Sequence, residues 1–159
     1  MIESQNDPSN LSPVERLLTI EEIRLLKARY FRFLDSKDEK GLASVFASDA
    51  ILDMSEGSGG AIDPSAVIHG AERIARFILS AVEGATTVHQ GSMPEVVVLT
   101  GDKATAVWAM HDVLQWDKNS SMPFQRLVGY GHYHDSYGRN AGRWFIETSK
   151  LTRLKVEVS

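Results

Sequence analysis

Residues Lys103 to Trp116 alternate between two unlike faces, and this run constrains the fold more than any other part of the chain. Ala104, Ala106, Trp108, Met110, Asp112, Leu114 and Trp116 fall on one side, which is heavy and apolar. Thr105, Val107, Ala109, His111, Val113 and Gln115 fall on the other. A period of two is the signature of an extended strand with one face turned to a core. Its neighbours are of the same kind. Thr86 to Thr100 is rich in β-branched residues and leads into it through a Gly101-Asp102 turn. After a polar connection, Phe124 to Tyr137 and Arg143 to Val158 read as two more strands, joined by a turn over Gly138 to Gly142.

The first half of the chain has a different period. Ile23, Leu26, Tyr30, Phe33 and Leu34 recur at helical spacing, which predicts a helix over Thr19 to Asp35, with Thr19 and Glu22 as its capping box. A second short helix is expected over Glu39 to Phe46, a short strand over Ala50 to Met54, and a loop over Ser55 to Ser65. Gly70 to Val82 reads as a third helix, with Ile74, Phe77, Ile78 and Val82 on one side. Helices first and a long antiparallel meander afterwards argue for an α+β fold, not an alternating α/β one. Four long strands and a leading helix pair predict a curved sheet wrapped around a helix. Such a sheet has an apolar interior suited to a small hydrophobic molecule.

Composition narrows the class. The chain has 159 residues, the size of one domain. It divides into a polar lead-in over residues 1–16 and a single domain over 17–159. Hydrophobic residues at 43% and charged residues at 24% fit a packed core and argue against disorder. The absence of cysteine removes disulfides, thiolate metal sites and cysteine nucleophiles, and fits a cytoplasmic location. A formal net charge of −4 with scattered Lys and Arg argues against a nucleic-acid partner. No apolar run approaches the roughly 20 residues of a membrane span, and the polar start has no signal-peptide pattern.

Three groups could carry chemistry. Tyr30 lies on the apolar stripe of the first helix, and Asp35 follows it about 140° further round an ideal helix. His89 opens a strand among small and apolar neighbours. Asp112 is the one ionisable residue on the heavy face of its strand, where a carboxylate is costly unless paired. Each has a bland reading beside the functional one. Tyr30 could be a core aromatic and Asp35 a capping acid, His89 a structural histidine, and Asp112 a partner for a loop backbone. On the functional reading His89 is a general base near neutral pH, oriented by a carboxylate. Tyr133 and Asp135 share a face with Gly129 and Gly131, where glycine leaves room for a ligand or a bend. His132 and His134 lack a third partner at metal-ligand spacing, so no metal is expected, and no nucleotide-binding, serine-hydrolase or zinc-protease motif is present.

Several of these features together resemble the SnoaL-like branch of the nuclear-transport-factor-2 superfamily. They are Tyr30-x4-Asp35, the Val88-His89 strand start, the turn Gly101-Asp102-Lys103-Ala104, Asp112, and the Gly-x-Tyr-x-Asp…Arg-Trp-x-Ile ending. The likeness runs from about Leu17 to Lys155 and is similar to that of bile-acid 7α-dehydratases and, more distantly, scytalone dehydratase. It implies a cone-shaped α+β roll. It also implies that the site tyrosine, aspartate, histidine and second aspartate of those enzymes fall here on Tyr30, Asp35, His89 and Asp112. Those enzymes use an arginine on the last strand; Lys150 and Arg153 both lie in that region. The resemblance implies a cofactor-independent lyase or isomerase acting on a hydrophobic cyclic or polycyclic ketone, with Phe33, Trp108, Met110 and Tyr133 as walls of the pocket. The competing expectation is a non-catalytic ligand-binding or assembly module, such as a small-subunit-like partner of a ring-hydroxylating oxygenase.

The outer face of a curved sheet also predicts self-association, as a homodimer or homotrimer. Sedimentation at micromolar concentration should show a species heavier than the 17.6 kDa chain; finding that species alone would refute the expectation.

Overall fold

The computed structural model describes residues 10–159. Elements follow in the order α1 (Pro13–Asp35), α2 (Glu39–Ser44), β1 (Phe46–Glu56), β2 (Val67–His69), α3 (Ala71–Ala81), β3 (Ala85–Thr100), β4 (Lys103–Trp116), β5 (Arg126–Asn140) and β6 (Arg143–Val158). They make one six-stranded sheet in the order β2-β1-β6-β5-β4-β3. The expected α+β architecture is present, with helices at the start and long strands in the second half. Of the lead-in expected over residues 1–16, the first nine positions lie outside the described residues, and α1 begins within the rest.

Two local expectations are corrected. The first helix is capped by Ser12, not Thr19: Ser12 and Glu15 form the capping box, and Pro13 takes the first helical position. Thr19 is buried mid-helix instead. The spacing of Thr19 and Glu22 imitates a box because Ser12-x-x-Glu15 repeats the same pattern one register earlier. The sheet is also not a pure antiparallel meander. β3 to β6 pair antiparallel, but β1 is longer than expected and lies parallel to β6. A parallel pair needs a long crossover, here everything between Glu56 and Arg143, and sequence periodicity does not reveal that choice.

The core lies between α1 and the concave side of the sheet. Ile23, Leu26, Tyr30 and Leu34 from α1 meet Trp108 and Met110 from β4, Tyr133 and Tyr137 from β5, and Ile146 and Leu151 from β6. The alternation in β4 is obeyed throughout: every even position from Ala104 to Trp116 is buried. Bulges bend the long strands, two in β3, between Ser92 and Glu95 and between Val98 and Thr100, and two in β6. The second hairpin turns through Ala141 and Gly142, both at positive φ, as a two-residue turn between twisted strands requires.

One ion pair is wholly inside this core. Lys27 Nζ donates to Asp135 Oδ2 at 2.8 Å, and neither side chain reaches solvent. Tyr137 and Ser149 hydroxyls also donate to Asp135, each at 2.7 Å, and the Trp108 indole N–H donates to Tyr137 at 3.0 Å. The Lys27 ammonium lies 3.8 Å from the centre of the Tyr133 ring and 4.5 Å from that of Tyr30. Burial pulls the lysine below its ordinary range, and the Asp135 charge and hydrogen bond push it back.

Removing one partner strands the other in a dry core, which costs roughly 3–5 kcal/mol, whereas replacing both with apolar groups is far milder. Urea denaturation should therefore show Asp135→Leu and Lys27→Met as strongly destabilised, and the double variant as more stable than either single one.

Candidate active site

Asp35 is the last residue of α1, and His89 is the fifth residue of β3. The end of the helix and the start of the strand meet here. Asp35 Oδ1 lies 2.7 Å from His89 Nδ1, Asp35 Oδ2 accepts the His89 backbone N–H at 2.9 Å, and Oδ1 also accepts the Thr87 hydroxyl at 2.9 Å. Burial works to raise the Asp35 carboxyl, but these donors outweigh it and hold the group below the usual carboxylate range. An ionised carboxylate only accepts, so Nδ1 carries a ring proton, and in the neutral ring Nε2 is the nitrogen with the lone pair. Among the described residues Nε2 has no hydrogen-bond partner.

The sheet lays the next groups beside this pair in one row. His89 faces Asp112 across the β3–β4 ladder, and Asp112 faces Gly129 across the β4–β5 ladder. Arg153 reaches over from β6. Its guanidinium binds Asp112 with two hydrogen bonds, of 2.9 and 2.8 Å, and its Nε donates to the Gly57 carbonyl at 3.0 Å. Gly129 makes this possible, because a Cβ there would collide with both the guanidinium and the Asp112 carboxylate. Both Asp112 oxygens are thus held by Arg153.

Tyr30 and Tyr133 stand deeper, with ring centres 5.9 Å apart and edge to face. Burial pushes the Tyr30 phenol well above its ordinary value, a hydrogen bond with Tyr133 works against this, and the carboxylates of Asp135, Asp112 and Asp35 add to it. Tyr133 is raised by burial in the same way. Both phenols are therefore hydrogen-bond donors at neutral pH.

The structure thus brings Tyr30, Asp35, His89, Asp112 and Tyr133 to one side of the sheet. Met110 packs beneath Arg153, with 3.5 Å between Sδ and Nη1, and lines a cavity of about 550 Å³ with His89, Phe31 and Gly91. Trp108 lines a neighbouring cavity of about 310 Å³. Phe33 does not join them: it lies on the opposite flank of α1, against Leu26, Val45 and Trp144. Phe31 takes the place assigned to it, packed on Tyr30 and Tyr133. A cavity of about 880 Å³ is elsewhere, between α2, α3 and the β5–β6 turn, and holds none of the site residues. Close aromatic packing explains the difference. Tyr30 is edge to face with Phe31, Phe46 and Tyr133, which fills the interior.

Comparison with known proteins places the chain in a family. The model of the SnoaL-like domain matches residues 15–150, most of the chain. This chain belongs to the SnoaL-like family. Its fold is also that of several solved structures. A proposed scytalone dehydratase from Novosphingobium aromaticivorans superposes with a TM-score of 0.79 at 15% identity, over 93% of this chain and 92% of that one. A hexachlorocyclohexane dehydrochlorinase of the third LinA type, from Novosphingobium barchaimii, gives 0.75 at 17% identity over 93% and 94%. The type 2 enzyme gives 0.76 at 17% over 93% of each chain. At such identities these likenesses establish the nuclear-transport-factor-2-like fold and no more. No helix among the described residues is long and apolar enough to cross a membrane.

The Asp35 hydrogen bonds have a measurable consequence for stability. A carboxyl lowered in the folded state binds protons more readily when unfolded. Its contribution is therefore complete above the unfolded value, near 3.9, and disappears as pH falls through the lower folded value. Denaturation midpoints followed from pH 6 to pH 2 should fall less steeply in Asp35→Asn than in the parent.

Proposed function

We propose that this SnoaL-like protein is a cofactor-independent lyase of the dehydratase kind. Its substrate would be a hydrophobic cyclic or polycyclic ketone with a hydroxyl β to the carbonyl. One observation carries the reading: the Asp35–His89 pair, in which the carboxylate holds the ring at Nδ1 and leaves Nε2 without a partner among the described residues. His89 takes the proton from the carbon next to the carbonyl, as a general base near neutral pH. The electron pair moves to the carbonyl oxygen, where Tyr30, supported by Tyr133, donates to the developing enolate. When the enolate collapses, the C–O bond to the β-hydroxyl breaks. The imidazolium returns its proton to the departing oxygen, water leaves, and the base is restored. The Asp112–Arg153 pair orients a substrate oxygen, and Phe31, Trp108 and Met110 hold the rings. The proposed scytalone dehydratase and the dehydrochlorinases are, by name, enzymes that eliminate water or hydrogen chloride, which supports an elimination.

A binding or assembly module, with the polar row as a structural network, is the second reading, and the burial of the row favours it. Tyr30, Tyr133 and Asp112 are each 3% exposed or less, so a ligand must push Phe31 or its neighbours aside to reach them.

With a β-hydroxy ketone that the protein turns over, His89→Gln and Asp35→Asn should each lower kcat by about 10²–10⁴, the usual worth of a general base. The double variant should lose little beyond the worse single one, because the pair acts as a unit. Tyr30→Phe should lower kcat while leaving KM close to the parent's. Ligand binding by thermal shift, with turnover absent across steroid-like and aromatic hydroxy ketones, would favour the binding module.

A further inference from the structure

Asp35 and His89 are joined to a third and a fourth group that the elimination does not use. Lys37 Nζ donates to Thr87 Oγ1 at 2.6 Å, and that hydroxyl donates to Asp35 Oδ1 at 2.9 Å. This is the same oxygen that holds the His89 ring at 2.7 Å. A continuous chain of hydrogen bonds therefore runs from an ammonium at the surface to the imidazole. Thr87 in the middle of it is buried, 6% exposed.

Lys37 occupies its place at a cost. It follows the helix cap Ser36 and stands at φ +58°, the left-handed conformation in which glycine usually ends a helix. A side chain at that φ meets steric resistance. Here the same backbone turn directs the lysine back over the end of α1 onto Thr87, and its own N–H still closes on the Leu34 carbonyl at 3.2 Å.

The charges around His89 give the lysine a task. Asp35, from the end of α1, favours a protonated ring. Asp112, across the β3–β4 ladder, is already neutralised by Arg153 from β6. Tyr30 is neutral. Lys37 is a further cation, joined to the pair through Thr87, and a nearby positive charge disfavours a second one on the ring.

We propose that Lys37 is a positioning residue for the dyad. Acting through Thr87, it fixes the Asp35 oxygen on which the His89 ring rests, and its charge keeps that ring unprotonated and ready to accept a proton. The use of this state rests on His89 being the base, but the state itself is open to measurement in the resting protein without any substrate.

The test follows the ring nitrogens of His89 by two-bond proton–nitrogen correlation spectra across pH, with His89→Gln to assign the signal. In Lys37→Met the midpoint of the His89 titration should rise by about 0.5 pH units, as expected when a partly screened like charge is removed. Thr87→Val should move it in the same direction. Lys37→Arg should leave it within about 0.2 units of the parent, because the charge and a donor remain. Lys37→Gly suits this φ, so it carries the test should the methionine variant fold poorly, and it should show the same rise. A midpoint unchanged or lowered in both the methionine and glycine variants would overturn the proposal. If the midpoint rises but His89→Gln has no effect on turnover, the relay stands and the catalytic reading fails.

Discussion

Lys27 and Asp135 are both shut away from water, and they tie the middle of α1 to the middle of β5. Hydrophobic contact alone would let a helix slide along a curved sheet at little cost, because apolar burial has no direction. An ion pair in a dry core has steep geometric demands, since any shift that parts the charges leaves both unpaired. Asp135 accepts from Lys27, Tyr137 and Ser149, so one carboxylate gathers α1, β5 and β6 at a point. Everything further along α1 inherits its position from there. Tyr30 is one helical turn away and Asp35 is two.

The site shows what that fixed helix meets. His89, Asp112 and Gly129 are in one cross-strand row, so three adjacent strands present their side chains to the same volume. The row is polar at both ends, with Asp35 completing His89 and Arg153 completing Asp112. Each buried charge in it has a partner of opposite charge or a set of donors, which makes a polar arrangement tolerable in a core built of Trp, Met and Tyr.

Much of this could be read in the chain beforehand. The strict alternation of β4 gave its inward face without error, because a strand covered on one side has period two and nothing interrupts it. Asp35 and His89 are marked by residue type and by the family resemblance, whereas Tyr30 and Asp112 stand out as polar groups on an apolar helix stripe and an apolar strand face. Lys27 had the same signal and was passed over: it lies on the stripe of Ile23, Tyr30 and Leu34, but a lysine among arginines in a helix reads as a solvated face. Arg153 was hidden for a different reason. A bulge in β6 shifts the inward set from Trp144 and Ile146 to Ser149, Leu151 and Arg153, and uninterrupted alternation would have put the arginine outside. Phe31 and Phe33 are two steps apart on α1, and only the packing of α2 and Trp144 against one flank decides between them. The parallel seating of β1 on β6 depends on contacts distant in sequence and leaves no local trace.

That seating also bears on how the molecule is made. β6 is the last strand in the chain, yet it sits in the interior of the sheet, hydrogen-bonded to β1 on one edge and β5 on the other. Without β6, the β1–β2 pair and the β3–β5 ribbon would each present an unpaired strand edge. Only when the stretch from Arg143 to Val158 has cleared the ribosome can it enter between them. Assembly therefore waits on contacts between distant parts of the chain, a topology associated with slow folding and with exposed strand edges during synthesis.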